Sequence, residues 1–256
     1  MMKKLSKKNR TFMIILLIIW INAVAAVIYF SVTAPTSGQI RKIPVYSVET
    51  EEKQVALTFN CAWDDTGLDT LLDILKEYDA KCTFFVVGDF AEKYPDAVRR
   101  IHNAGHEIAN HSMKHNDPVK QNYEDIITDI TACNDVLYSV TGKRPHLYRA
   151  PSGSYDNKTV EAAENLGMRA IQWSADSIDW KDPSPDEIIR RILKKADNGM
   201  IALFHAGKEN TVTAVPAVLS ALTDKGFSFV TVSELLPDST GYIDINGRFF
   251  AEKGDE

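Results

Sequence analysis

Hydrophobic and polar positions alternate along this chain in a repeating strand–helix rhythm. Val55–Phe59 is a short apolar run and predicts a buried strand. Leu68, Leu71, Leu72, Leu75 and Tyr78 recur at helical spacing, and Cys82–Val87 predicts a second buried strand closed by Gly88. A helix near Pro95–Asn103 stops at Gly105, and the short strand Glu107–Ala109 follows. The segment Tyr123–Val140 is predicted helical, with Ile126, Ile127, Ile130, Val136 and Leu137 inward and Gly142 at its end. Then come a strand at His146–Arg149, a helix at Lys158–Leu166, a strand at Arg169–Trp173 and a helix at Pro185–Ala196. A strand at Met200–Phe204, a helix at Thr211–Thr223 stopped by Gly226, and a strand at Ser228–Val232 complete the series.

Such alternation means an α/β fold, a parallel sheet with helical crossovers. About seven units are compact for a closed barrel, and a doubly wound open sheet is the alternative. Polar clusters follow Phe59, Ala109, Tyr148, Trp173 and Phe204, each just past the C-terminal end of a predicted strand. Barrel active sites are built on that rim, which favours a barrel-like ring.

The ends break the rhythm. Residues 1–10 carry Lys3, Lys4, Lys7, Lys8 and Arg10 and no acid, and residues 11–30 carry no charge. An uncharged run of about 20 residues behind a basic flank predicts a membrane anchor with the flank in the cytoplasm. A cleaved signal is the alternative, since Ala23, Ala25 and Ala26 are small, but the run is long for a signal core. Either way the rest of the chain is exported. Residues 31–50 read as a stalk, 51–236 as the globular domain and 237–256 as a tail.

Composition narrows the partners. Without the five basic residues of the first ten, 24 basic face 35 acidic side chains, a balance of −11. That argues against a nucleic acid and leaves room for a neutral glycan. A monomer is expected. Cys61, Cys82 and Cys133 are an odd number for an exported chain, and a Cys61–Cys82 disulfide stays open at this point.

The chemistry gathers at the predicted strand ends. His111 and His115 stand four residues apart, one helical turn, so both imidazoles can face one divalent ion. Asp64 and Asp65 follow another strand, and two His with one carboxylate leave positions open for water and substrate. His205 ends a strand and is placed to protonate a leaving amine; on its own it would be a satisfied core histidine. Arg149 can hold a carboxylate, with Pro151, Gly153 and Tyr155 in the turn after it. The run Asp176-Ser177-Ile178-Asp179-Trp180 puts an acid beside an indole, which either stacks on a sugar or belongs to the core.

In this order the motifs are recognisable. His111-Ser112-Met113-Lys114-His115, Arg149-Ala150-Pro151-Ser152-Gly153, Asp176-Ser177-Ile178-Asp179-Trp180 and Leu203-Phe204-His205 match four motifs in sequence. From about Val55 to Leu236 the chain resembles the polysaccharide deacetylases with a NodB homology domain (carbohydrate esterase family 4). Within them it looks most like the membrane-anchored sporulation type. The resemblance implies a distorted (β/α) barrel after one transmembrane helix. It implies a hydrolase that removes N-acetyl groups from cell-wall polysaccharide, peptidoglycan or a related N-acetylglucosamine glycan, breaking a carbon–nitrogen bond other than a peptide bond. The domain would lie outside the cytoplasmic membrane. One divalent ion is implied, zinc first, with cobalt, manganese or iron also suited to the ligands. His111 and His115 would be ligands, His205 the general acid, Asp179 its partner, and Arg149 would face the base. Pro151, Gly153, Tyr155 and Trp180 would line the glycan groove.

The first motif departs from the pattern. The family reads Thr-Phe-Asp-Asp, and the sporulation type Phe-Asp-x-x-Trp-Gly-Asp/Asn. Here the run is Thr58-Phe59-Asn60-Cys61-Ala62-Trp63-Asp64-Asp65. Asp65 matches the ligand position best, with Asp64 close behind, and Asn60 falls on the base position. An amide is not a useful base near neutral pH, and loss of a general base costs about 10²–10⁴-fold in rate. Asp64 is then the candidate substitute base. The alternative is a catalytically weak or inactive homologue that binds glycan or serves as a scaffold.

Overall fold

The computed structural model describes residues 11, 13, 16–25, 41–237 and 240–252. Residues 1–40 and 41–256 form two separate units. In the first, residues 16–25 are helical and exposed. Among the described residues no helix is long and apolar enough to cross a membrane. The basic segment 1–10, part of the apolar run 11–30, residues 31–40 of the stalk and residues 253–256 of the tail lie outside the described residues.

The second unit is a curled α/β half-barrel. Its strands are β1 (Ser47–Val48), β2 (Gln54–Cys61), β3 (Thr83–Val86), β4 (Glu107–Asn110), β5 (Leu147–Tyr148), β6 (Arg169–Ala170), β7 (Ala175–Asp176), β8 (Met200–His205), β9 (Ser228–Phe229), β10 (Gly241–Ile243) and β11 (Arg248–Ala251). Hydrogen bonding orders them β10-β11-β1-β8-β2-β3-β4-β5-β6, with β7 joined to β8 and β9 to β2. β8 is buried throughout and β2 after its first residue, as expected of parallel strands covered on both faces.

The two faces of β2 serve different ends. Val55, Leu57, Phe59 and Cys61 pack outward with Leu68, Leu71 and Leu75 of the helix Leu68–Glu77 and with Val215 and Leu219 of the helix Glu209–Asp224. Ala56 packs inward with Phe85, Ala109 and Ile201. Strand periodicity then puts Thr58 and Asn60 on that inner face as well. Register brings the strand ends level: Asn60 pairs with Phe85 and His205, Val86 with Asn110, and Asn110 with Tyr148. The polar residues that follow these ends therefore share one rim.

Two segments differ from their sequence reading. β6 and β8 do not pair, and residues 45–48, read as stalk, span the opening. Val45 N donates to Ala170 O at 2.9 Å and Val45 O accepts from Gln172 N at 2.7 Å, while Ser47 pairs antiparallel with Met200. The tail is likewise structured, since β10 and β11 form an antiparallel pair and β11 runs parallel to β1. Strands of two to four residues carry too little alternation to be read, but they cover a sheet edge that would otherwise be open. The three cysteines are buried free thiols. Cys61 sits in the outer core, where burial pushes its thiol up, and it does not bridge to Cys82.

Candidate active site

The histidine pair does not sit on a helix. Residues 111–115 are a loop after β4, and Ser112 (φ 70°) and His115 (φ 57°) adopt the left-handed region. The loop is held by hydrogen bonds instead. Ser112 N donates to Asn110 Oδ1 at 2.8 Å, Met113 N to Asp129 Oδ2 at 2.9 Å and His115 N to Ser112 Oγ at 2.8 Å. Gly88 N donates to Ser112 O at 3.0 Å, and a side chain at Gly88 would collide with Met113. The result is an edge-on pair of imidazoles with ring centres 5.0 Å apart. His111 Nδ1 lies 2.8 Å from the carbonyl of Arg149, an acceptor only, so Nδ1 carries the proton and Nε2 the lone pair. That Nε2 is buried and unpartnered. Burial, then the neighbouring His115, hold His111 well below the ordinary histidine range, and burial lowers His115.

The opposite wall is Arg149 and Asn60. Arg149 is fully buried. Its Nη1 donates to Thr58 Oγ1 at 2.9 Å and to Asn60 Oδ1 at 3.1 Å, and its Nη2 to Gln172 O at 3.1 Å. Phe85 and Trp173 cover the guanidinium at 3.8 and 5.4 Å from their ring centres. All three bonded oxygens are neutral. Burial pulls Arg149 down to about 9, and only the charge of Asp176 works the other way. Asp176 makes no hydrogen bond to the guanidinium; it accepts from Trp173 Nε1 at 3.1 Å and Ile178 N at 2.8 Å.

His205 ends β8 in a fully bonded relay. Its Nδ1 lies 2.6 Å from Asp179 Oδ1, and its backbone N donates to Asp179 Oδ2 at 2.7 Å. Thr211 Oγ1 also donates to Asp179 Oδ2, at 2.6 Å. Burial alone would raise Asp179, but the bonds from His205 and Thr211 outweigh it and leave the carboxyl below its usual range. His205 therefore keeps its Nδ1 proton on a carboxylate and turns Nε2 outward.

Asn60, His111, His115 and His205 line one cavity of about 430 Å³, with Ser152, Gly153, Trp173, Asp176 and Trp180 among its other walls. Trp63 and Trp180 are about half exposed at its edge. Gly153 (φ 66°) is required here, because a side chain would meet Trp173.

Four expected members stand elsewhere. Asp65, the expected third ligand, is on the surface, 3.2 Å from Arg100. Asp64, the expected substitute base, does not line the cavity and accepts from Thr66 N at 2.9 Å. Pro151 is buried and does not line the cavity, and Tyr155 Oη accepts from Tyr46 Oη at 3.2 Å. Trp63, Trp173, Thr58, Gln172 and Thr211 were missed as site members. Trp63 lies within the aberrant first motif and is within reach of the sequence, whereas Gln172, whose backbone oxygen accepts from Arg149 and whose Nε2 donates to Gly153 O at 3.1 Å, carries no motif that would announce it.

The donor set tests the expected ion. The orphaned His111 Nε2 beside His115 suits two ligands of a metal, but among the described residues no group of three His, Cys, Asp or Glu side chains comes together to hold one. The site as arranged does not fit a three-ligand centre.

Comparison with known proteins locates this constellation. The family described as polysaccharide deacetylase matches residues 47–171. A peptidoglycan-N-acetylglucosamine deacetylase of Bacillus cereus is 34% identical over 196 residues, covering 75% of this chain and 92% of the relative. The chain belongs to the polysaccharide deacetylase family. The uncharacterized protein YlxY of Bacillus subtilis is 31% identical over 77% of this chain, which spans 61% of that longer relative. Among solved structures, BA3943, a CE4 family pseudoenzyme from Bacillus anthracis, superposes with a TM-score of 0.74 at 31% identity, covering 76% of this chain and 69% of that one. A BA3943 mutant is described as having restored enzymatic activity. This deacetylase family thus holds both active enzymes and members without activity.

Proposed function

We propose that the protein acts on N-acetylated cell-wall glycan as a deacetylase-type hydrolase whose turnover is limited by Asn60. The observation that carries this is the His205–Asp179–Thr211 relay opening into the same cavity as His111 and His115, between exposed indoles suited to a sugar face. His205, with Nδ1–H held by Asp179, delivers a proton from Nε2 to the departing amine. Trp63 and Trp180 position the sugar, and Gly153 keeps the wall open. The partner of the reaction is the attack of water, and Asn60 cannot take its proton. His111 and His115 are the two side chains that would bind a divalent ion, zinc before cobalt, manganese or iron. The apolar run 11–30 anchors the chain to the cell membrane with the domain outside. The test is acetate release by the purified full-length protein from peptidoglycan and from N-acetylglucosamine oligomers, with and without added zinc or cobalt. Folded protein that releases none under any condition removes the catalytic reading.

A second reading is favoured by the Asn60–Arg149 bond and by the likeness to a pseudoenzyme. In it the protein binds the glycan and does not turn it over. Binding of the oligomers without acetate release separates the two.

A further inference from the structure

The rim described above lies at one end of the parallel strands, and a separate cavity of about 500 Å³ opens at the other end. Its wall is built from residues that precede β4 and β5, among them His102, His106, Lys143, Arg144 and His146, with Glu107 at the start of β4. His106 and His111 flank the two ends of β4, about 16 Å apart along an extended strand. The wall is rich in donors and poor in free acceptors. His106 is 6% exposed, and its Nδ1 accepts from Cys82 N at 3.3 Å, so in the neutral ring Nε2 carries the proton. Burial, then Lys81, push the ring down to about 4, which keeps it neutral near neutral pH. Among the described residues nothing accepts from that Nε2–H, and a buried donor without a partner is costly. Lys143 is exposed and enters no ion pair among the described residues. Arg144 Nη2 donates to Asp135 Oδ1 at 2.8 Å and has N–H groups to spare. Glu107 is the one acid of this wall among the described residues, and its oxygens are committed. Thr83 Oγ1 donates to Oε2 at 2.7 Å, Ser233 N to Oε2 at 3.3 Å, and Ser233 Oγ to Oε1. His106 also borders a neighbouring hollow beside Lys81, but Asp73 and Asp79 stand there and would repel an anion.

We propose that the cavity at the start of β4 and β5 binds a single phosphate group, free or in a small ester, with His106 Nε2–H as the buried donor and Lys143 as the facing charge. A tetrahedral phosphate presents oxygens in several directions, which suits donors that arrive from two loops. Lysine binds phosphate as a point charge. Beyond residue 10 the chain carries 24 basic and 35 acidic side chains. That balance disfavours a long polyanion lying on the surface and leaves a small anion held in a cavity. The volume exceeds a lone phosphate and leaves room for the alcohol of an ester. No bond is made or broken, and binding here does not depend on either reading of the glycan cavity.

The test titrates the full-length protein, near neutral pH and at fixed ionic strength, with inorganic phosphate, with glycerol 3-phosphate and with acetate as the planar control. Calorimetry reads the affinity. Nitrogen-edited magnetic resonance spectra of the histidine rings read the His106 Nε2–H, identified by its loss in His106→Gln. Phosphate should bind saturably at one site and shift the His106 signal, and acetate should bind about tenfold more weakly or worse, having fewer oxygens to offer. Lys143→Glu alters an exposed side chain, so the fold stays intact, and it should weaken phosphate binding by about tenfold or more by reversing the charge. Tighter binding of glycerol 3-phosphate assigns the site to an ester and tighter binding of inorganic phosphate to the free ion; either upholds it. The inference is overturned by no saturable binding of either phosphate, by binding that Lys143→Glu leaves unchanged, by a His106 signal that does not move, or by acetate binding as tightly as phosphate.

Discussion

At the His205 end of the cavity, Asp179 accepts three hydrogen bonds from His205 and Thr211, and the histidine is oriented by the charge it faces. At the Asn60 end, a fully buried guanidinium is held by three neutral oxygens, and the imidazole beside it has an unpartnered lone pair. The two ends lie on neighbouring strands in register, Asn60 opposite His205, so the contrast comes from side-chain chemistry and not from the backbone. A buried ion is stable when its partner carries the opposite charge and its remaining bonds are met. At one end the buried carboxylate is met by three donors. At the other a buried guanidinium faces an amide oxygen and no anion. Proton delivery and water activation can therefore be lost separately in one fold.

The comparison breaks most visibly if Asn60 is restored to a carboxylate. Asn60→Asp should raise acetate release by about 10²–10⁴-fold, measured against the parent under identical conditions; no gain would mean that the missing base is not what limits the reaction. In the same background Arg149→Met should cost about 2–4 kcal/mol more than it does in the parent, since it now breaks a buried charge pair. Urea unfolding of the four proteins in the cycle measures that difference.

The satisfied end can be tested by removing charge without changing shape. Asp179→Asn leaves one oxygen for three donors and should destabilise the fold by about 2–4 kcal/mol, again by urea unfolding. An unchanged midpoint would show that the relay is positional only.

His106 sharpens the same rule outside the site. It is buried, accepts from Cys82 N at 3.3 Å on Nδ1, and is pushed down to about 4 by burial and then by Lys81. The unfolded chain binds this proton from about pH 6.5 downward, while the folded state refuses it until about 4. Stability from this group is thus present above 6.5 and lost as pH falls to 4, about 2–3 kcal/mol in all. His111 adds in the same direction. Thermal melts across that range should show the loss, and His106→Gln should flatten it.

The smallest effect is expected at Asp65. Its ion pair with Arg100 is on the surface, so Asp65→Asn should change stability by less than about 1 kcal/mol and leave zinc affinity near that of the parent. A marked loss of zinc by calorimetry would return Asp65 to the ligand set.

Much of this was legible in the sequence. Central strands such as Cys82–Val87 and Met200–Phe204 are apolar runs with no other stable place to lie, and the four motifs after them needed only the order of strands to meet. Asn60 stood out because the residue type itself carries the chemistry. The misreadings share a different cause. His111 and His115 converge through left-handed residues at 112 and 115, which the four-residue spacing does not announce. Asp65 was assigned by alignment with a motif, but a flexible acid takes the nearest cation, and Arg100 comes from a helix some 35 positions away. Residues 45–48 and 241–251 read as stalk and tail because their strands are too short to show a period.

The sequence by itself determined the α/β class, the rim on which the chemistry lies, the family and the amide at position 60, because these follow from residue type and local order. Only the tertiary structure decided that Arg149 fixes the polarity of both Asn60 and His111, that Asp65, the expected third ligand, stands outside the cavity, and that the stalk and tail cover the sheet edge. Those depend on distances between residues far apart in the chain, and hydrogen-bond partners are chosen by such distances.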